Sequence, residues 1–195
     1  MTAAMWQDGW LVGTRRCPSP NFGARPVGSE VNLALVHSIS LPPGQYGGDA
    51  IERLFTNRLE WDAHPYFAQI RGMEVSAHFL IRRGGGLIQF VSCDERAWHA
   101  GVSEWRGRTQ CNDFSVGIEL EGLEGSRFEA RQYAALAKLL RALQARYPIE
   151  AVAGHEHVAP GRKRDPGPGF DWHLLATRLG WPAERFSEVF GLKSN

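Results

Sequence analysis

Residues 154–168 read GHEHVAPGRKRDPGP, a stretch in which most of the side chains could do chemistry. It holds His155, His157, Lys163 between Arg162 and Arg164, Asp165, and the prolines Pro160, Pro166 and Pro168. A helix cannot run through three such prolines, so a stiffened loop is predicted. Pro166 biases Asp165 towards an extended backbone and helps to hold its carboxylate in one direction. An imidazole and a carboxylate ten residues apart on a rigid loop suit a divalent metal. Zinc accepts both donor types, and a catalytic zinc site uses three protein ligands with a fourth position left for water. This stretch supplies two ligands, so a third has to come from elsewhere. An isolated histidine is more often a packing residue, and Asp-Pro-Gly is also an ordinary turn that an aspartate can cap.

The elements that position these groups can be read around them. The apolar run 149–153 predicts a strand that ends just before His155. Leu33, Leu35 and Val36, with Ala34, form a second apolar run, as in a central strand buried on both faces, and it ends in His37. Sites in α/β sheets form at strand ends. His37, His155 and Asp165 therefore make a two-histidine, one-carboxylate set, with His157 as the main rival. His78 lies mid-strand and reads as a core residue, whereas His64 and His99 lie in loops that can line a cleft. His173 starts a late helix and reads as surface.

A short helix is predicted over 49–56, and a long connection follows to residue 72. The segment from Leu41 to Gly72 carries Trp61, His64, Tyr66 and Phe67 and is expected to wall one side of a cleft. Residues 75–82 and 87–91 predict a hairpin around Gly84, Gly85 and Gly86. Over 114–120, Phe114, Val116, Ile118 and Leu120 alternate with Ser115, Gly117, Glu119 and then Glu121, giving an apolar and a polar face. The strongest helix is 127–147. Ser126 and Glu129 make a capping-box pattern, Tyr133, Leu136, Leu140, Leu143 and Tyr147 form an apolar stripe, and Pro148 stops it. Helices are expected over 171–179 and 183–190. The whole reads as one α/β domain over 1–195, a mixed central β-sheet flanked by helices. Residues 1–32 form a loop-rich segment and 181–195 a helical tail.

Composition narrows the class. With 43% hydrophobic and 22% charged residues, the chain has the make-up of a soluble globular protein. Lys+Arg 22 against Asp+Glu 21 leaves a charge of +1, without the basic excess of a nucleic-acid binder. No stretch approaches the ~18 apolar residues that span a bilayer, and no signal peptide is visible. Cys17, Cys93 and Cys111 are odd in number and far apart, which fits thiols in a reducing compartment. A cytoplasmic protein is expected, with no nucleic-acid, membrane or obligate protein partner.

Five segments carry a resemblance: LVHSISLPPG from Leu35, VSAHFLI from Val75, RAWHAG from Arg96, CNDFSVGIELEG from Cys111, and the frame from Gly154-His155 to Asp165-Pro166-Gly167. In this order they resemble the AmpD-type cytoplasmic anhydromuramyl-peptide amidases over roughly residues 9–180. The resemblance implies the zinc N-acetylmuramoyl-L-alanine amidase fold, shared with phage amidases and peptidoglycan recognition proteins. It implies one Zn2+ on His37, His155 and Asp165, with Glu119 as the catalytic glutamate and Lys163 as the loop lysine. It further implies hydrolysis of the amide between the lactyl group of (1,6-anhydro-)N-acetylmuramic acid and L-alanine in small soluble muropeptides, serving peptidoglycan recycling. Ser38, Tyr66, Trp98 and His99 are the expected substrate contacts. Ser38 stands where many members carry Asn, and Glu74, His157 and Arg164 also depart from the pattern, which bears on substrate contacts rather than on the metal. Two further classes were open: a non-catalytic binder of peptidoglycan fragments, which usually lacks one ligand, and a zinc hydrolase of another amide or ester.

Overall fold

In the computed structural model, which describes residues 5–191, the apolar runs assemble into a six-stranded sheet. Residues 1–4 and 192–195, at the two ends of the expected terminal segments, lie outside the described residues. The strands are β1 (Arg15–Arg16), β2 (Leu33–Ile39), β3 (Phe79–Ile81), β4 (Leu87–Gln89), β5 (Ser115–Glu121) and β6 (Ala151–Gly154). Their order is β6-β2-β5-β3-β4-β1. The run β6, β2, β5, β3 is parallel, β4 returns antiparallel to β3, and β1 lies parallel to β4 at the edge. The sheet is therefore mixed. Helices α1 (Ala50–Phe55), α2 (Pro65–Gln69), α3 (Ala130–Gln144), α4 (His155–Val158), α5 (Trp172–Leu179) and α6 (Ser187–Phe190) join and cover it. Among the described residues no helix is long and apolar enough to cross a membrane.

Both faces of the central strands are buried, which explains why β2 is almost continuously apolar. On one face Ala34, Val36, Val116, Ile118 and Leu120 pack with Leu136, Leu140 and Leu143 of α3. On the other, Leu33, Leu35, Ala151 and Ala153 pack with Ala100, Trp105 and Phe114. Each of these leucines contributes about 1.5–3 kcal/mol through burial. Register then places the chemistry. Glu119 pairs with His37 across β5 and β2, and Gly154 with Val36 across β6 and β2. Side chains alternate along a strand. His37 consequently shares the face of Leu33 and Leu35, and Ser115, Gly117 and Glu119 lie on that same side, away from α3.

Several expected boundaries move. The long helix begins at Ala130, not at 127, and Gln132 rather than Glu129 reaches back: its Oε1 accepts from the Glu129 amide at 3.0 Å. Ser126 sits instead in a turn, its amide bonded to Leu123 and its carbonyl against Gly169. The helix ends at Gln144, and Tyr147 packs edge-on against Trp6. The first hairpin strand is shorter than 75–82, because Ser76 bonds to Trp98 and Asn21 in neighbouring loops. The long connection contains a 3₁₀ turn, Trp61–Ala63, followed by α2.

Candidate metal centre

Three elements converge at the ends of the parallel strands. β2 delivers His37, the first residue of α4 delivers His155 directly after β6, and the loop beyond α4 returns Asp165. The stretch expected to be all loop thus opens with a helical turn, since its prolines begin only at Pro160. The loop folds back tightly, and a Cβ on Gly154 would stand 2.8 Å from Cδ of Pro166. The Glu156 amide donates to the Asp165 carbonyl at 3.0 Å, tying the carboxylate-bearing residue to α4. His37 Nδ1 and His155 Nδ1 lie 3.0 Å apart, and each is 3.2 Å from Asp165 Oδ2. These residues are only 2%, 3% and 9% exposed, so solvent does little to separate them.

This donor set fits zinc. His155 Nε2 lies 3.0 Å from the Ala100 carbonyl, which can only accept, so that nitrogen carries the ring proton and Nδ1 offers a lone pair. Burial, helped by neighbouring His155, pushes His37 down to about 4, so its ring is neutral at neutral pH. Two imidazoles and a carboxylate meeting in a buried space form the nitrogen and oxygen set of a catalytic zinc site. Among the described residues the ligand atoms of His37, His155 and Asp165 all lie within 4.8 Å of one another.

The other histidines go elsewhere. His157 Nδ1 accepts from the Gly154 amide at 2.9 Å, and its ring sits edge-on to Trp172, which removes it as the rival ligand. His78 is core: Nδ1 accepts from the Gly117 amide at 3.0 Å and Nε2 donates to the Glu95 carbonyl at 3.1 Å. His64 caps α2 by accepting from the Tyr66 amide at 3.1 Å. Exposed His173 stacks on Phe190.

A cleft of about 620 Å3 opens over the cluster. Tyr66, Ile70 and Met73 line one wall, Trp98 and His99 another, and Lys163 lies on the exposed rim. Of the four aromatic or imidazole side chains expected from the long connection, only Tyr66 lines it. Phe67 is buried in the core, Trp61 packs against that core, and His64 is spent as a cap. Ser38 lines the cleft where β2 ends, but alternation turns its side chain to the face opposite His37, and Oγ is buried without a partner among the described residues.

Glu119 also lines the cleft, and its Oε2 is buried with no hydrogen-bond partner among the described residues. The contrast with Glu121 on the same face is informative. Glu121 is saturated, by Arg82 at 2.7 Å and by the amides of Gly47 and Arg83 at 2.7 and 3.1 Å. Burial first, and the negative charge of Asp165 second, push the Glu119 carboxyl well above its usual range, with Lys163 opposing. The polar face of β5 is therefore no solvated surface; all seven residues of the strand are buried, and the His99 ring lies directly over Gly117 on that face.

Sequence reasoning missed the loop that backs the histidines. Asn112 Oδ1 accepts from the amides of His99 and Ala100 at 3.1 and 2.8 Å. Arg162 donates to the Ala100 carbonyl at 2.6 Å, and also to that of Val102. Arg162 and Asn112 have no periodicity to betray them. Their trace in the sequence is their place inside the segments GRKRDPG and CNDFSVGIELEG.

The N-acetylmuramoyl-L-alanine amidase family, Amidase_2, matches residues 28–168 of the chain. The 1,6-anhydro-N-acetylmuramyl-L-alanine amidase AmpD of Salmonella typhimurium (strain SL1344) is 54% identical over 166 residues, 84% of this chain and 89% of that protein. The crystal structure of a selenomethionine AmpD derivative aligns with a TM-score of 0.86 at 50% identity, covering 89% of this chain and 98% of that one. The amidase AmiD from E. coli, in complex with the substrate anhydro-N-acetylmuramic acid-L-Ala-D-γ-Glu-L-Lys, aligns with a TM-score of 0.57 at 29% identity, over 89% of this chain and 65% of that one. Drosophila peptidoglycan recognition protein SD, at 18% identity and a TM-score of 0.57 over 85% of this chain and 88% of that one, shares the fold alone.

Proposed function

The chain belongs to the N-acetylmuramoyl-L-alanine amidase family and is an enzyme of that kind, and from that premise we propose a zinc-dependent hydrolase of anhydromuropeptides. Its bond is the amide joining the lactyl group of 1,6-anhydro-N-acetylmuramic acid to L-alanine, and its setting is peptidoglycan recycling in the cytoplasm. The observation that carries the reading is one cleft holding both the convergent His37, His155 and Asp165 atoms and the unpartnered Oε2 of Glu119. The names of the relatives supply the substrate class. Three free cysteines, two of them buried, support a reducing compartment.

His37, His155 and Asp165 would hold the metal. Bound there, zinc supplies Lewis acidity, lowering the pKa of water to about 7 and polarising a carbonyl. The protein supplies the proton traffic. Glu119 takes a proton from the attacking water on its free oxygen and delivers it to the alanine nitrogen as the C–N bond breaks. A positioned acid–base group of this kind contributes about 10²–10⁴-fold. Its raised pKa makes it a stronger base than an exposed carboxylate. Lys163, on the rim, faces the oxygen on which negative charge develops. The products are a free lactyl carboxylate and a peptide with a new amino terminus. Tyr66 and Trp98 offer flat faces for the sugar and the stem peptide.

The test is to compare an anhydromuramyl-tripeptide with the same peptide on a reducing muramic acid. Release of free tripeptide is expected from both. The compact anhydro sugar, packed against Tyr66, Ile70 and Met73, should be favoured at least about tenfold in kcat/KM, a difference of ~1.4 kcal/mol. Equal values would remove the anhydro preference. No release from either substrate would remove the amidase reading itself.

A further inference from the structure

We propose that Ser115 and His99 form a hydrogen-bond relay that fixes the proton of His37 on Nε2, so that its Nδ1 lone pair is held facing the metal position. This rests on the reading of His37 as a ligand. Ser115 Oγ lies 2.5 Å from the Cys111 carbonyl oxygen. A carbonyl has no proton to give, so the hydroxyl hydrogen lies between them. Ser115 Oγ then has only lone pairs left, and one of them faces His99 Nε2 at 3.3 Å. That nitrogen must be the protonated one. The His99 ring packs edge-on against the imidazoles of His37 and His78 and bonds no carboxylate among the described residues, so nothing there balances a cation; the ring is neutral and its Nδ1 is bare. His99 Nδ1 lies 3.0 Å from His37 Nε2, which therefore donates to it. A neutral His37 with its proton on Nε2 has none on Nδ1, the atom that faces His155 and Asp165.

The room for this relay is built into β5. A Cβ on Gly117 would stand 2.4 Å from Cγ of His99, so the imidazole lies directly on the glycine. Glycine in a strand interior weakens the strand and marks a close approach, and here the approaching group is the relay's central ring. The ring's other histidine neighbour, His78, cannot take part, since its Nδ1 is occupied by the Gly117 amide and its Nε2 by the Glu95 carbonyl. The His99 amide is itself held by Asn112 at 3.1 Å. Ser115, Gly117 and Glu119 thus give one face of a single strand three tasks: an acceptor, a space and a proton carrier. His99 and Ser115 are positioning residues, acting on the metal through His37. With the relay cut, His37 can hold its proton on Nδ1, and that proton must leave before a cation can bind. Loss of such an outer hydrogen bond typically weakens metal binding about 10–100-fold.

The direct test uses the zinc-loaded protein labelled with ¹⁵N in its histidines. A nitrogen–nitrogen coupling across the hydrogen bond is expected between His37 Nε2 and His99 Nδ1, with the proton assigned to His37 and the His99 proton on Nε2. This needs no variant and so does not depend on one folding. In parallel, zinc affinity is measured against a competing chelator. Ser115→Ala should weaken it about 10–100-fold and free the His99 proton to move to Nδ1, and Gly117→Ala, which pushes the ring away, should weaken it and abolish the coupling. A His99 proton found on Nδ1 in the native protein would overturn the relay. So would a Ser115→Ala protein with native zinc affinity and an unchanged His99 tautomer. His37→Ala serves as the reference: native zinc affinity there would overturn the ligand assignment, a result separate from any failure of the relay.

Discussion

Glu119→Gln is expected to fold, to retain zinc, and to lose about 10²-fold or more in kcat. The substitution keeps the size of the side chain and one carbonyl oxygen but cannot take up a proton. It should be well tolerated structurally, because Oε2 of Glu119 makes no hydrogen bond that a neutral amide would forfeit. Removing a buried carboxyl near Asp165 also relieves like-charge repulsion, so stability should hold or rise. Glu121→Gln would behave in the opposite sense. It removes the charge that pairs with Arg82 and leaves one oxygen to accept where two accepted from the Gly47 and Arg83 amides, and therefore strikes stability before catalysis. Metal content and kcat measured on purified Glu119→Gln check the assignment. Near-native turnover would take Glu119 out of the reaction.

The second large effect is expected at the cluster itself. His37→Ala, His155→Ala and Asp165→Ala should each come through purification without stoichiometric zinc and with no measurable turnover. Each removes one of only three protein ligands, and an affinity shared among three donors does not survive with two. His157→Ala should keep its metal, since the His157 ring is turned towards Trp172 and the Gly154 amide. That variant loses a helix-start hydrogen bond, at a cost of about 1 kcal/mol. Elemental analysis of the four proteins discriminates: a zinc-free His157→Ala beside a zinc-bound His155→Ala would reverse the assignment.

The contrast between these two histidines shows what a sequence can and cannot disclose. In a strand or an extended loop, residues two apart share a face, so His155 and His157 are equivalent candidates on paper. On the helical turn that forms, two residues are separated by roughly 200°, and the histidines point to opposite sides. The strands themselves were legible, because apolar runs such as Leu33 to Val36 and alternation such as Val116, Ile118 and Leu120 follow directly from the period of a pleated chain. The capping of α3 was misplaced because Ser126 and Glu129 have the capping-box spacing, whereas Ser126 is taken up by the turn against Gly169 and Glu129 itself becomes the cap, with Gln132 bonding back to it. The polar face of β5 reads as solvent-facing for a similar reason. What covers it are the imidazole of His99 and the loop holding Asn112, which come from distant, aperiodic sequence. Partnerships across loops leave no spacing signal, which is why His99 reads as a substrate contact while its ring also bonds His37.

Turnover that depends on zinc is the property on which the proposed chemistry turns. The protein is stripped with a chelator, its metal content is verified, and zinc is titrated back while release of tripeptide from the anhydromuropeptide is followed. No turnover is expected in the stripped protein, then a linear rise with a break at one zinc per chain. Full turnover by protein verified to be free of metal would contradict the proposed chemistry.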